Sequence, residues 1–177
     1  IFTRYSKTGD SEPDVKKLRN CLSLLESFFH GKSSGIDPLV SYLKSPLRIR
    51  GDEVRVISEH LIETRLREYG FFLVQGPQNG KTGELVKKFS MRCDSDPDYL
   101  SKTLQKYIPV NNNCIRDLSL TGDPKSFFSD IKQLTRMQTA IFNEMIPPEI
   151  IPLINYGLEK NLYYMKLCGS GGGGFFL

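Results

Sequence analysis

The sequence contains few of the residues that build a zinc centre. It has two histidines, His30 and His60, and four cysteines that are far apart and include no Cys-x-x-Cys pair. Structural zinc sites use about four Cys or His ligands, usually supplied as closely spaced pairs. A Cys/His zinc site is therefore not expected, and no residue is assigned to a metal. Isolated cysteines of this kind are typical of reduced thiols in a cytosolic protein.

The sequence also lacks long apolar runs and a strong charge. No run approaches the roughly 18 apolar residues that span a bilayer, and no secretory signal is visible, so a cytoplasmic protein without a membrane partner is expected. The net charge of +4 is small, and the lysines and arginines are scattered. A weakly basic surface favours anionic ligands such as phosphates, but it does not indicate nucleic-acid binding. The 39% hydrophobic and 25% charged residues are ordinary for a globular protein.

The order of the predicted elements is that of an α+β protein. Apolar residues at helical spacing predict helices over 14–29, most of 98–120, from Pro124 to the prolines at 147–148, and 150–159. Strands are predicted as a hairpin over 48–57, at 71–74, at 163–168 and at 175–177. The continuously apolar run 71–74 is typical of a strand buried on both faces. Together these elements predict an antiparallel sheet with helices on one face.

A run of glycines near the end of the sequence is its most specific feature. Five glycines and one serine occupy the six positions between two apolar strands: Gly169, Ser170, Gly171, Gly172, Gly173 and Gly174. A tight hairpin needs only one or two glycines, and each glycine costs chain entropy on folding. Without Cβ atoms, backbone N–H groups can approach an anion closely. The alternative is a flexible linker, but linkers are not normally embedded between apolar strands, so a functional or domain-packing loop is favoured.

Residues 30–37 read His-Gly-Lys-Ser-Ser-Gly-Ile-Asp, in a turn between helical segments. A kinase that phosphorylates an alcohol needs a group that orients the hydroxyl and accepts its proton, and Asp37 has the chemistry to do so. The alternative is a turn in which the aspartate caps the following helix. Taken alone, the segment favours the capping interpretation.

The segment 75–82 resembles a Walker A loop but does not fit it. Gln75 stands where the first glycine of G-x-x-x-x-G-K-[ST] is required. No later apolar run ends in the aspartate that would bind magnesium. We therefore interpret the segment as a strand-to-helix connection in which Thr82 is the N-cap.

In combination, these motifs resemble the superfamily of galactokinase, homoserine kinase, mevalonate kinase and phosphomevalonate kinase. The matching positions are His30, Gly31, Ser34, Gly35 and Asp37, then Lys81-Thr82 with Leu85-Val86 after an apolar strand, then 166–174 as Lys-Leu-x-Gly-Ser-Gly-Gly-Gly-Gly. The His-Gly pair is most like mevalonate kinases. In those enzymes the aspartate is usually followed by Asn, whereas this chain has Pro38, so the acceptor remains open.

The resemblance implies a function and a domain organisation. Residues 1–60 would be the remainder of an N-terminal lobe, and 61–177 a ferredoxin-like C-terminal lobe, with the boundary near residues 57–70. The reaction implied is phosphoryl transfer from ATP to an alcohol, with Asp37 as the catalytic base. The residues expected near the nucleotide or the substrate are Ser34, Gly35, Lys81, Thr82 and the loop 169–174.

The resemblance also implies partners. ATP and Mg²⁺ would be the cofactors, held mainly by a loop of the form P-x-x-x-G-L-G-S-S that is expected before Ile1. The segment alone is therefore expected to bind ATP poorly, and a homodimer is possible within this family. Two alternatives remain: a sugar, homoserine or phosphomevalonate as the acceptor, and a non-catalytic binding or dimerising protein with the same fold.

Overall fold

The computed structural model describes residues 14–31, 33–51, 53–77, 82–119 and 123–177. The fold is α+β, as predicted, with mostly helical structure and small antiparallel sheets. Contacts between residues divide the chain into two compact units, Ile1–Ile62 and Glu63–Leu177. Within the described ranges, no helix combines the length and the apolar character needed to cross a membrane.

Unit 1 contains two helices, a hairpin and the beginning of a third helix. Its elements are α1 (Val15–His30), α2 (Ile36–Leu43), β1 (Leu47–Arg50), β2 (Glu53–Val56) and the first turn of α3 (Glu59–Tyr69). Helix α1 begins after Asp14, whose Oδ1 accepts hydrogen bonds from the N–H groups of Lys16 and Lys17. The bond from the Lys17 N–H holds the pKa of Asp14 below its ordinary value of 3.8. The predicted first helix and the predicted hairpin are both confirmed.

Unit 2 contains the rest of α3 and is mostly helical. Its other elements are β3 (Val74–Gln75), α4 (Thr82–Ser95), α5 (Pro97–Lys102), α6 (Ile108–Ser119), α7 (Pro124–Ile141), α8 (Ile151–Lys160) and β4 (Phe175–Phe176). One π-helical turn, Thr103–Tyr107, joins α5 to α6, so helical structure runs from Pro97 to Ser119 as predicted. Strands β3 and β4 pair antiparallel.

The core of unit 2 consists of two clusters of buried side chains. One cluster is formed by side chains of α8, of the residues just before α8, of the segment 165–167 and of β4: Ile146, Ile150, Ile154, Met165, Leu167 and Phe176. The other joins α6 to α7: Val110, Cys114, Phe127, Ile131 and Leu134. The first cluster lies directly under the strands that flank the glycine run, so it sets the position of that run.

The predicted strands of unit 2 are shorter than the sequence suggests. Strand β3 begins only at Val74, and Phe72 and Leu73 are 77% and 63% exposed, so the prediction of a strand buried on both faces is wrong. Burial on both faces requires a packed layer above and below the strand, and the described residues leave Phe72 and Leu73 without such cover. The predicted strand 163–168 is reduced to a short ladder with 175–177, made by the N–H groups of Lys166 and Cys168. Helix α7 ends at Ile141, before the prolines that were expected to end it.

Burial of Cys114 between α6 and α7 leads to a prediction about pH. Burial raises the pKa of this thiol from 9.0 to about 12, and burial likewise raises the pKa of the Tyr107 hydroxyl from 10.0 to about 12. Between the ordinary and the raised pKa, the unfolded chain ionises while the folded chain stays neutral. The free energy of unfolding should therefore be unaffected by these groups below pH 9 and fall as the pH rises toward 12, by about 1 kcal/mol per pH unit for each group.

Urea denaturation at pH 8, 9.5 and 10.5 measures this loss. Cys114→Ala removes one of the two groups and should make the decline shallower, although the variant is less stable at every pH. An identical decline in the variant and the original chain would contradict a buried, neutral Cys114.

Candidate functional site

The connection between α1 and α2 is folded back onto α1 by three polar side chains. Ser23 Oγ donates to the carbonyl oxygen of Ser33 at 2.7 Å, and the Ser33 N–H donates to Ser27 Oγ at 3.0 Å. One turn earlier, Arg19 Nε donates to the carbonyl oxygen of Ser34 at 3.1 Å. These side chains lie on one face of α1, at spacings of four residues, and they determine where α2 begins.

Gly35 is required at the start of α2. Its φ of +70° is in the left-handed region, and it occupies the N-cap position of the helix. A Cβ at this position would lie 2.6 Å from the carbonyl oxygen of Arg19 and 2.8 Å from Ser23 Cβ. Both its backbone conformation and its close approach to α1 therefore exclude a larger residue.

Asp37 lies in the first turn of α2 with its side chain exposed. The partial positive charge of a helix N-terminus favours a carboxylate at this place. Ser34 is also exposed, and its Oγ accepts a hydrogen bond from the Ile36 N–H at 3.3 Å. An exposed carboxylate held on a rigid turn can meet a ligand, and it also fits a residue that only stabilises the helix. Gly35, not Asp37, occupies the N-cap position of α2, so the predicted capping by Asp37 is wrong. The local geometry is compatible with a ligand-binding role and with an electrostatic role in the first turn of the helix.

The glycine run of unit 2 needs glycine for its backbone conformation. The φ angles of Gly169, Gly171, Gly172 and Gly173 are +65°, +80°, +76° and +119°. All four angles lie where residues with a Cβ are disfavoured. The composition of the loop is thus explained by its shape, and a flexible linker would have no such requirement.

The loop is held in the middle and at its C-terminal end by backbone contacts. The Gly172 N–H donates to the carbonyl oxygen of Met145 at 2.7 Å, and the Gly76 N–H donates to that of Gly174 at 2.7 Å. A Cβ on Gly171 would lie 2.4 Å from the Met145 oxygen. The loop therefore passes directly over the turn between α7 and α8, and no side chain fits between them.

A buried glutamine of α7 also positions the loop. Gln138 Oε1 accepts the N–H of Leu167 at 2.7 Å, and Gln138 Nε2 donates to the Tyr107 hydroxyl at 3.3 Å. The role of Gln138 was not predicted from the sequence. A signal was present, because Gln138 follows Leu134 by four residues and Ile131 by seven, which places a polar side chain in the apolar stripe of α7. The contact with Met145 could not be predicted from the sequence, since it uses a backbone carbonyl oxygen, which every residue has.

Several N–H groups of the loop remain available for a ligand. Within the part of the chain that the structure describes, the N–H groups of Gly169, Ser170 and Gly171 donate to no backbone carbonyl, and none of these three residues is buried. Successive N–H groups in such a loop form a concave surface that suits an anion. The fixed loop can therefore act as a binding surface for a phosphate group or a carboxylate.

The remaining residues predicted for the site give less information. Thr82 is the first residue of α4, and its side chain lies outside the described residues, as does Lys81. Asp37 belongs to unit 1, whereas the glycine loop belongs to unit 2. Among the described residues, no group of three or more His, Cys, Asp or Glu side chains is arranged to hold a metal ion.

Comparison with models of known protein families finds no match to this chain, and a search of curated proteins finds no match either. The function must therefore be inferred from the two motifs whose geometry is described above, the Asp37 turn and the glycine loop.

Proposed function

We propose that this chain belongs to an ATP-dependent kinase that phosphorylates an alcohol, in the superfamily of galactokinase, homoserine kinase, mevalonate kinase and phosphomevalonate kinase, and most similar to mevalonate kinases. The glycine loop is the observation that carries the proposal. Four of its glycines have positive φ, and the loop is anchored on Met145 and Gly76 with N–H groups left over. Such a rigid loop is suited to an anionic substrate or to a nucleotide phosphate.

Each motif has a distinct part in this chemistry. The loop N–H groups orient a phosphate-bearing ligand and stabilise its negative charge, which is the main source of catalysis in phosphoryl transfer. Asp37 orients the acceptor hydroxyl and takes its proton. Bound Mg²⁺ would neutralise charge on the ATP phosphates. None of the described residues forms a suitable metal-binding group, so no residue of this chain is assigned to the ion.

The architecture of unit 2 is compatible with a ferredoxin-like lobe. Antiparallel pairing of β4 with β3 on one side, and of 175–177 with 166–168 on the other, supports this proposal. The glycine loop is then the connection between two adjacent strands of the sheet, and helix α8 and the residues before it supply apolar side chains beneath those strands.

The test is phosphoryl transfer by the complete product of the gene that encodes this chain. We expect Mg²⁺-dependent formation of ADP with mevalonate as the acceptor. A coupled enzymatic assay that detects ADP measures it. Galactose, homoserine and phosphomevalonate should be assayed in parallel, because turnover with one of them would keep the kinase and change its substrate. Binding of ATP without turnover on any acceptor would overturn the proposal in favour of a non-catalytic binding protein.

A further inference from the structure

One face of the hairpin in unit 1 carries three arginines and one glutamate. In the antiparallel register, Arg48 lies opposite Arg55, and Arg50 lies opposite Glu53. Side chains alternate along a strand, so residues two apart share a face with the residues directly opposite them. All four side chains therefore project from the same face, and the apolar residues of both strands occupy the other face.

The charges on this face do not neutralise one another. Arg48 and Arg55 are a directly opposed pair of like charge, which destabilises a hairpin. Glu53 does not pair with Arg50 across the strands. Instead its Oε1 accepts hydrogen bonds from Arg55 Nε at 2.6 Å and Nη2 at 2.5 Å. Among the described residues, neither Arg48 nor Arg50 forms an ion pair, so no described carboxylate neutralises these two guanidinium groups.

These four side chains line a concavity of about 120 Å³. No apolar side chain contributes to its wall. A guanidinium group is planar and presents paired N–H donors at the spacing of two phosphate oxygens, and it holds its charge at any physiological pH. A phosphate placed between Arg48 and Arg50 would satisfy both groups. It would also offset the repulsion between Arg48 and Arg55.

We propose that this arginine face, made of Arg48, Arg50, Glu53 and Arg55, binds the phosphate portion of a small molecule. Arg48 and Arg50 contact the phosphate oxygens directly, while Arg55 is shared with Glu53. The site goes beyond the proposed kinase function, because it uses neither Asp37 nor the glycine loop.

The first experiment is calorimetric titration of the full chain with pyrophosphate at an ionic strength of about 0.15 M. The double variant Arg48→Gln/Arg50→Gln should bind pyrophosphate about 100-fold more weakly, which is about tenfold for each arginine removed. Arg67→Gln/Arg136→Gln is the matched control, since it removes the same charge from two exposed positions of unit 2. Its affinity should stay within about twofold of the original chain, because neither residue lines the concavity and the general attraction of exposed charges is largely screened at this ionic strength.

A second variant should change the affinity in the opposite direction. Glu53→Gln removes the only carboxylate of the arginine face and releases Arg55 from its ion pair, so pyrophosphate should bind several-fold more tightly. Thermal melting with and without pyrophosphate reports folding of each variant and the stabilisation by the ligand.

Several outcomes would overturn the proposal. Equal affinity of the original chain and Arg48→Gln/Arg50→Gln would show that the arginine face does not bind phosphate. An equal loss of affinity for pyrophosphate in the Arg67→Gln/Arg136→Gln control would show that binding responds to the net charge of the chain alone. Binding of RNA or of anionic vesicles, with none of pyrophosphate or inorganic phosphate, would assign the face to a macromolecule instead.

Discussion

Replacing Asp37 by Asn in the proposed kinase is expected to lower turnover by about 10²–10⁴-fold, the range typical of losing a general base. Asparagine keeps the size of the side chain and can still accept a hydrogen bond from the hydroxyl, but it cannot take the proton. The affinity for ATP should change little, because the proposed role of Asp37, in the first turn of α2, concerns the acceptor and not the nucleotide. Steady-state kinetics together with ATP titration of the complete protein measure both quantities.

The same substitution also separates the two interpretations of Asp37. A carboxylate that serves only the first turn of α2 contributes about 0.3–1 kcal/mol, so its loss would lower the melting temperature slightly and leave turnover intact. Glu59→Gln is a matched control, since Glu59 occupies the first turn of α3 and is also exposed. Turnover that falls no further in Asp37→Asn than in Glu59→Gln would remove Asp37 from the mechanism.

Replacing Gly171 by Ala is expected to lower the free energy of unfolding of unit 2 by about 2–5 kcal/mol. Two effects add: alanine is disfavoured at a φ of +80°, and its Cβ would lie 2.4 Å from the carbonyl oxygen of Met145 and 2.8 Å from Leu167 Cδ2. The nearest of these atoms belongs to the backbone, so it cannot rotate away. Urea denaturation followed by circular dichroism measures the loss.

Gly169→Ala provides the control for this prediction. Gly169 has a similar φ of +65°, but a Cβ added there would meet nothing within 4 Å. Only the conformational cost of about 1–2 kcal/mol should appear. If the two substitutions destabilised the chain equally, the close packing of the loop against Met145 would be wrong, and positive φ alone would account for the glycines.

Most of the helices could be predicted because their signals are local. The first helix, the long helix of α5 and α6, and helix α8 all follow apolar residues at helical spacing, with Asp14 and Asp96 accepting N–H groups at two of the starts. The strands of unit 2 were predicted less well. Residues 71–73 are apolar, but an apolar segment forms a strand only where another strand pairs with it, and the pairing of β3 with β4 covers Val74–Gln75 alone.

The candidate site was predictable in its residue types and much less so in its contacts. The glycines of 169–174 stood out by their number, and Gly35 by its place in the motif that contains Asp37; the structure gives Gly35 and four glycines of the run a positive φ, which glycine adopts most easily. The side chains that hold these segments in place, Arg19 and Gln138, come from distant positions in the sequence. Their importance becomes visible only when the segments are packed together.

The sequence by itself determined the α+β character, the helical boundaries near the caps, and the two glycine-containing motifs, since all of these depend on neighbouring residues. Only the tertiary structure decided which glycines are indispensable, because Gly171 and Gly35 are excluded from substitution by the backbone of Met145 and Arg19. The arginine face likewise depends on the hairpin register, in which a shift by one residue would change which charges lie opposite one another. These features depend on contacts between segments far apart in the chain or on opposite strands.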